Sequence, residues 1–340
     1  MGRNPAMGHV TKPKPFLNIP ETVSHVAQDF LRTLQDPALT PRFPEPDDFE
    51  GWKKMREFAE VPELAHAQAI LRLYAPSLRE RVLGGTPVLE VRPKEWNGSS
   101  AIAVYVHGGG HTLYSAASTS GRAAVFADDT GMRVISVDYT PAPLAKYNQM
   151  SDQVIAVMQA LLREDHRLED MVVYGDGSGG GLAASALLKA RDRGLGVPAA
   201  AVLVSPWVDL TRTGDTEFTL AHAEPNYRYE MHSIKAAAAY ADPGHQKHAY
   251  ASPVYGDFSK GFPPTLIQGG TKEVLLSGFV RLYQALDTAG RQVKLDIYEG
   301  MPHNFISRIP ESTEARVARK KIREFVHLYV PVTEGHMAPA

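Results

Sequence analysis

Apolar and polar positions change rhythm along this 340-residue chain. Val26, Phe30, Leu31 and Leu34 recur at the spacing of one helix face, and Pro37 ends that helix. Ahead of it, residues 1–21 carry Pro5, Pro13, Pro15 and Pro20 with little periodicity and predict an extended arm. A loop with Pro41, Pro44 and Pro46 leads to a helical stretch from about Asp47, with a further helix predicted around Pro62–Tyr74. No strand pattern occurs before about residue 75.

From Arg79 onward the pattern shifts to short runs rich in β-branched residues, which predict strands. They are Val88–Val91, Ala101–Val106, Arg133–Asp138, Met171–Tyr174, Ala200–Val204, Thr265–Gln268 and Lys294–Tyr298. Helical patterns lie between and after them at about Ser151–Arg163, 179–192, 275–289 and 312–329. Strands alternating with helices predict an α/β protein whose parallel sheet is covered on both faces. The Ala-rich stretch 208–250 breaks the alternation and predicts a helical insertion, and Gly335–Ala340 reads as a disordered tail.

Composition narrows the chemistry. The chain is 44% hydrophobic and 22% charged, as an ordinary globular protein is. Its 28 glycines and 25 prolines fall well short of the roughly 25–30% share that marks disorder. With no cysteine, a disulfide framework, a Cys-ligated metal and a cysteine nucleophile are excluded. A net charge of −2 gives no field favouring nucleic acid or an anionic membrane. The longest apolar runs, such as Ala199–Val204, are too short to span a bilayer, and Met1-Gly2-Arg3-Asn4-Pro5 lacks the apolar core of a secretory signal. A cytoplasmic enzyme is the expectation. The 13 histidines include no H-E-x-x-H, and His107 and His111 merely flank glycines, so no metal is expected.

The richest segment is Met171-Val172-Val173-Tyr174-Gly175-Asp176-Gly177-Ser178-Gly179-Gly180-Gly181, a strand, a tight turn and a helix start. Gly175, Gly177 and Gly180 fit the dinucleotide pattern G-x-G-x-x-G. That fingerprint belongs on the first strand of a βαβ unit with an acidic residue about 20 positions later, whereas this turn follows several strands. A turn needing glycine only for close packing is the plainest alternative. The third reading is a nucleophile elbow, G-x-S-x-G, which presents a side chain at the sheet edge. Here the serine sits one place late, at Ser178, and Gly177 fills its slot.

An acyl-transfer site also needs N–H donors for an oxyanion, a general base and an acid to orient it. His107-Gly108-Gly109-Gly110 follows a strand, as an HGGG-type loop does. Glu273 follows the strand at 265–268 and His303 the strand at 294–298, both beyond strand C-termini, where open α/β sheets bind ligands. Each alone reads as an ordinary loop residue. Their order after the turn, acid and then histidine, makes them candidates together.

With these residues in place, the chain resembles the hormone-sensitive-lipase-like family of α/β-hydrolases, a group of esterases and lipases. The match rests on His107–Gly110, Asp138-Tyr139 with Ala142-Pro143, Gly175-Asp176, Gly179-Gly180, Ser205-Pro206-Trp207, Glu273 and Gly300-Met301-Pro302-His303, across roughly residues 80–330. The resemblance implies a mostly parallel eight-stranded sheet with helices on both faces, within one domain. It also implies a helical cap built from about 1–75 and 208–250, over a catalytic core of about 76–207 and 251–330. It further implies an oxyanion hole from Gly109, Gly110 and the N–H of Ser178, with Glu273 in place of the usual Asp. The family turn G-D-S-A-G-G stands here as G-D-G-S-G-G.

Three functions follow. The first is a carboxylic ester hydrolase in which Gly177, introduced or natural, has replaced the nucleophile. The second is a hydrolase using Ser178 or a water activated by His303. The third is a non-hydrolytic binder or lyase on the same scaffold. No cofactor is implied, and a homodimer is compatible with all three. Phe30, Trp52, Phe58, Trp207, Phe218, Tyr227 and Tyr229 are candidates for an aromatic pocket that takes an apolar ester.

Overall fold

The computed structural model describes residues 17–330. The expected arm up to residue 16 and the tail Gly335–Ala340 lie outside them. Eight strands form one sheet: β1 (Ser77–Leu83), β2 (Thr86–Arg92), β3 (Ile102–Val106), β4 (Arg133–Val137), β5 (Met171–Asp176), β6 (Ala200–Val204), β7 (Thr265–Gly270) and β8 (Val293–Tyr298). Their spatial order is β1-β2-β4-β3-β5-β6-β7-β8. The pairs β1–β2 and β2–β4 are antiparallel, and all others are parallel.

The described helices are α1 (His25–Thr33), α2 (Phe49–Tyr74), α3 (Ser120–Thr130), α4 (Tyr147–Arg163), α5 (Ser178–Asp192), α6 (Thr216–Thr219), α7 (Ile234–Tyr240), α8 (Leu276–Thr288), α9 (Phe305–Arg308) and α10 (Thr313–Tyr329). Every residue of β3, β5, β6 and β7 is buried, which is why those strands read as unbroken apolar runs. Period-two alternation then divides each strand between two cores. Val104, Val106, Val173 and Leu203 pack on the α4, α5 and α8 side. Tyr105, Val172, Tyr174 and Val202 face α3 and α10.

Several expectations are corrected. The two helices predicted after Asp47 are one, because α2 runs through Pro62. Packing against α3, where Ile70 and Ala67 abut Gly121, outweighs the hydrogen bond that proline removes. The unpredicted β1 is an exposed edge strand that lacks an apolar run. The unpredicted α3 is buried mainly through small residues. The insertion 208–250 is mostly irregular, with α6, a π turn at Tyr229–Ser233, α7 and a 3-10 turn at Pro243–His245. Its alanines serve packing, since Ala236, Ala237 and Ala239 are buried.

Candidate active site

The turn after β5 sets the geometry. Gly177 has φ 54° and ψ −127°, a conformation that costs a residue with a Cβ but is open to glycine. Its N–H bonds to the Val204 carbonyl at 2.8 Å and its carbonyl accepts from the Trp207 N–H at 2.8 Å, so β6 clamps the turn from one side. An ideal Cβ on Gly177 would point at His303, 3.2 Å from Nε2, and would lie 3.4 Å from Asn304 Nδ2.

His303 comes from the loop after β8. Its Nδ1–H donates to Glu273 Oε2 at 2.7 Å, which leaves the Nε2 lone pair facing Gly177. Glu273 has no solvent exposure. Its other oxygen accepts from the Ser205 hydroxyl at 2.8 Å and the Gly270 N–H at 2.7 Å. Ser205 Oγ in turn accepts from the Asn304 N–H at 3.1 Å. The carboxylate and the loop that carries the imidazole are thus fixed by one network.

The glycine loop enters from the end of β3. Gly109 has φ 117°, and a Cβ there would collide with the Leu113 carbonyl. Among the described hydrogen bonds, the N–H groups of Gly109, Gly110 and Ser178 have no acceptor. The loop is held behind by Asp176, which accepts from the Gly108 N–H at 3.2 Å and from the Tyr105 hydroxyl at 2.6 Å. His107 stacks on Tyr139 at 4.2 Å and donates to the Gly108 carbonyl. Burial lowers its pKa, so it is a packed neutral ring. His111 is sandwiched between Tyr240 and Trp207, and burial takes it down to about 3.

Ser178 Oγ accepts from the His111 N–H at 2.9 Å, and no described hydrogen bond joins it to His303. Residues with no motif signal complete the site. Arg122 of α3 bonds Asp176 at 2.6 Å and pairs with Glu63. Burial opposes its charge, yet the two carboxylates hold its pKa well above the usual range. Glu224 in the insertion is fully buried, and burial lifts it to about 7, with the nearby His303 partly opposing.

A cavity of about 590 Å³ adjoins the turn, a size suited to a small ligand. Its walls include Phe30, Phe58, Trp207 and Tyr227, as the sequence predicts, together with Gly109, Gly110, Ser178 and His303. The other three aromatic candidates lie elsewhere. Trp52 is core, in edge contact with Phe43, while Phe218 and Tyr229 lie against Arg212. No cluster suited to a metal ion occurs among the described residues, and none of their helices is long and apolar enough to cross a membrane.

A family model described as the alpha/beta hydrolase fold matches residues 103–307, about three fifths of the chain. The chain belongs to the hormone-sensitive-lipase-like α/β-hydrolases. An acetyl-hydrolase of Streptomyces hygroscopicus is 32% identical over 63% of this α/β-hydrolase and 70% of its own length. A solved structure of the esterase E25 superposes with a TM-score of 0.86 at 25% identity, covering 96% of this chain and 99% of that one. An esterase from the bacterial hormone-sensitive lipase family gives 0.73 at 27% identity, covering 86% and 94%. This hydrolase is of the esterase/lipase type.

Proposed function

We propose that the chain is a carboxylic ester hydrolase framework in which Gly177 holds the nucleophile position and the acyl-enzyme route is disabled. The observation that carries this reading is the line from Gly177 to His303 Nε2, 3.2 Å from an ideal Cβ. A hydroxyl on that Cβ would sit beside a lone pair made available by the Nδ1–H···Glu273 bond. In such a form the hydroxyl attacks the ester carbonyl while Nε2 takes its proton. The tetrahedral oxyanion falls to the N–H groups of Gly109, Gly110 and Ser178. The imidazolium then protonates the departing alkoxide, and water releases the acid by the reverse proton path. The α1–α2 segment and the insertion form the cap of this reading.

As it stands, with glycine at 177, the site retains imidazole, carboxylate and donors, which support on the order of 10³–10⁴ over the uncatalysed rate. The same open lone pair supports a second reading, slow hydrolysis by a water that His303 deprotonates. Gly177→Ser is the test. It is expected to raise p-nitrophenyl acetate hydrolysis by about 10³-fold or more, with a burst of nitrophenol and a fluorophosphonate adduct on residue 177. Steady hydrolysis without burst or adduct in both forms would favour the water route. Ester binding without turnover in either form would favour a non-hydrolytic binder.

A further inference from the structure

The cavity beside Gly177 holds a charge that acyl transfer does not use. Arg308, the last residue of α9, lines it together with Gly109, Gly110 and His303 and keeps an exposed side chain. No described carboxylate lies within ion-pair distance of its guanidinium, and no described hydrogen bond engages it. Its recorded contact is the face of Phe30, at 5.8 Å. The cavity's other guanidinium, Arg122, is matched by Asp176 and Glu63.

The surrounding charges leave this cation only partly balanced. Burial lowers the Arg308 pKa and Arg122 adds repulsion, while Tyr114, Glu224 and Glu63 only partly offset them. An exposed guanidinium on a cavity wall, with no carboxylate of the protein paired to it, is open to an anionic group of a bound molecule. The Tyr114 hydroxyl is within electrostatic reach of Arg308, lines the same cavity, and has no described hydrogen-bond partner. A planar fork and an O–H thus line the cavity together, beside aromatic walls such as Phe30, Phe58 and Tyr227, and the cavity's carboxylate, Glu63, is already paired with Arg122. A guanidinium fork matches a carboxylate with two parallel bonds.

We propose that Arg308, assisted by Tyr114, binds a free carboxylate on the substrate, so that the cavity selects esters bearing an anionic group remote from the scissile bond. This rests on the ester-hydrolase reading. It narrows the substrate from apolar esters to half-esters of dicarboxylic acids and similar molecules. Arg308 then sets specificity without touching the reacting atoms.

The experiment has a binding arm that needs no turnover and a kinetic arm that does. In the first, the chain with Gly177 is titrated calorimetrically with monomethyl adipate and with the neutral ester in which an isopropyl group replaces the carboxylate. A charge-assisted contact is worth about 10–100-fold, so the acid should bind at least about tenfold tighter. Arg308→Gln should erase that preference, and Arg308→Lys should keep part of it, because the charge remains without the fork. In the second, Gly177→Ser is assayed with p-nitrophenyl hydrogen adipate and its neutral isostere. The acid-to-neutral ratio of kcat/KM should fall by about the same factor when Arg308→Gln is added. Equal binding of acid and neutral ester, or a preference untouched by Arg308→Gln, overturns the anion site whatever the variant hydrolyses. Failure of Gly177→Ser to cleave either ester, with the binding preference intact, sinks the hydrolase reading and leaves the anion site standing.

Discussion

Asp176 accepts a hydrogen bond from the Asn304 side-chain amide at 3.0 Å, so the residue before the glycine turn grips the residue after His303. The same carboxylate holds Arg122, the Tyr105 hydroxyl and the Gly108 N–H. One buried side chain therefore ties β3, its glycine loop, α3 and the His303 loop together. Asp176→Asn removes the charge opposite Arg122 and sets an amide donor among donors. Breaking a buried pair on one side costs roughly 3–5 kcal/mol, and a loss of that order is expected in urea unfolding. A change under about 1 kcal/mol would mean that the contacts do not act as a unit.

The turn that suits glycine will penalise its replacement. At φ 54° a side chain is strained, and a Cβ 3.2 Å from Nε2 obliges the His303 ring to yield slightly. Gly177→Ser should therefore lose about 1–3 kcal/mol of stability while gaining activity. Gly177→Ala should lose a similar amount and gain none. Thermal melting of the two variants beside the parent checks this, and equal melting temperatures across all three would remove the strain argument.

Ser178 is buried, with its hydroxyl on the His111 N–H. Ser178→Ala strands that buried donor, at a cost of about 1–3 kcal/mol. If Ser178 only braces the loop, the ester hydrolysis gained by Gly177→Ser survives Ser178→Ala to within about tenfold. If Ser178 is a displaced nucleophile, Ser178→Ala alone abolishes whatever slow hydrolysis the Gly177 chain has. Initial rates for the two variants separate the cases.

How far the sequence carried can be judged from particular residues. The central strands were legible because burial on both faces leaves runs such as Ile102–Val106 with no polar position to confuse the pattern. Strand β1 was not, since an edge strand with exposed Leu78, Arg79 and Glu80 has no buried face to advertise it. Glycines at 109 and 177, Glu273 and His303 stood out because turn geometry and position after strands restrict them. Arg122, Glu63, Asn304 and Glu224 did not, because a lone charged or amide residue looks like surface until the fold brings partners from distant segments. Ser205 was visible only within the Ser205-Pro206-Trp207 motif, which gave no hint of its bond to Glu273.

Glu224 ties stability to pH. Its carboxylate accepts from the Asn226 N–H and side-chain amide at 2.9 Å and from the Val274 N–H at 3.3 Å. Burial nevertheless raises its pKa to about 7, above the roughly 4.3 of an unfolded chain. Between those values the folded chain keeps a proton that the unfolded chain has released. Its stability therefore falls as pH rises through that window, by at most about 4 kcal/mol, and levels off on either side. Glu217, raised mainly by burial to about 8, acts in the same direction and extends the decline upward. Glu224→Gln holds the site neutral at every pH. Its melting temperature should gain steadily on the parent between about pH 4.5 and pH 7 and hold that gain above it, and two melting profiles that run parallel across that range would refute the assignment.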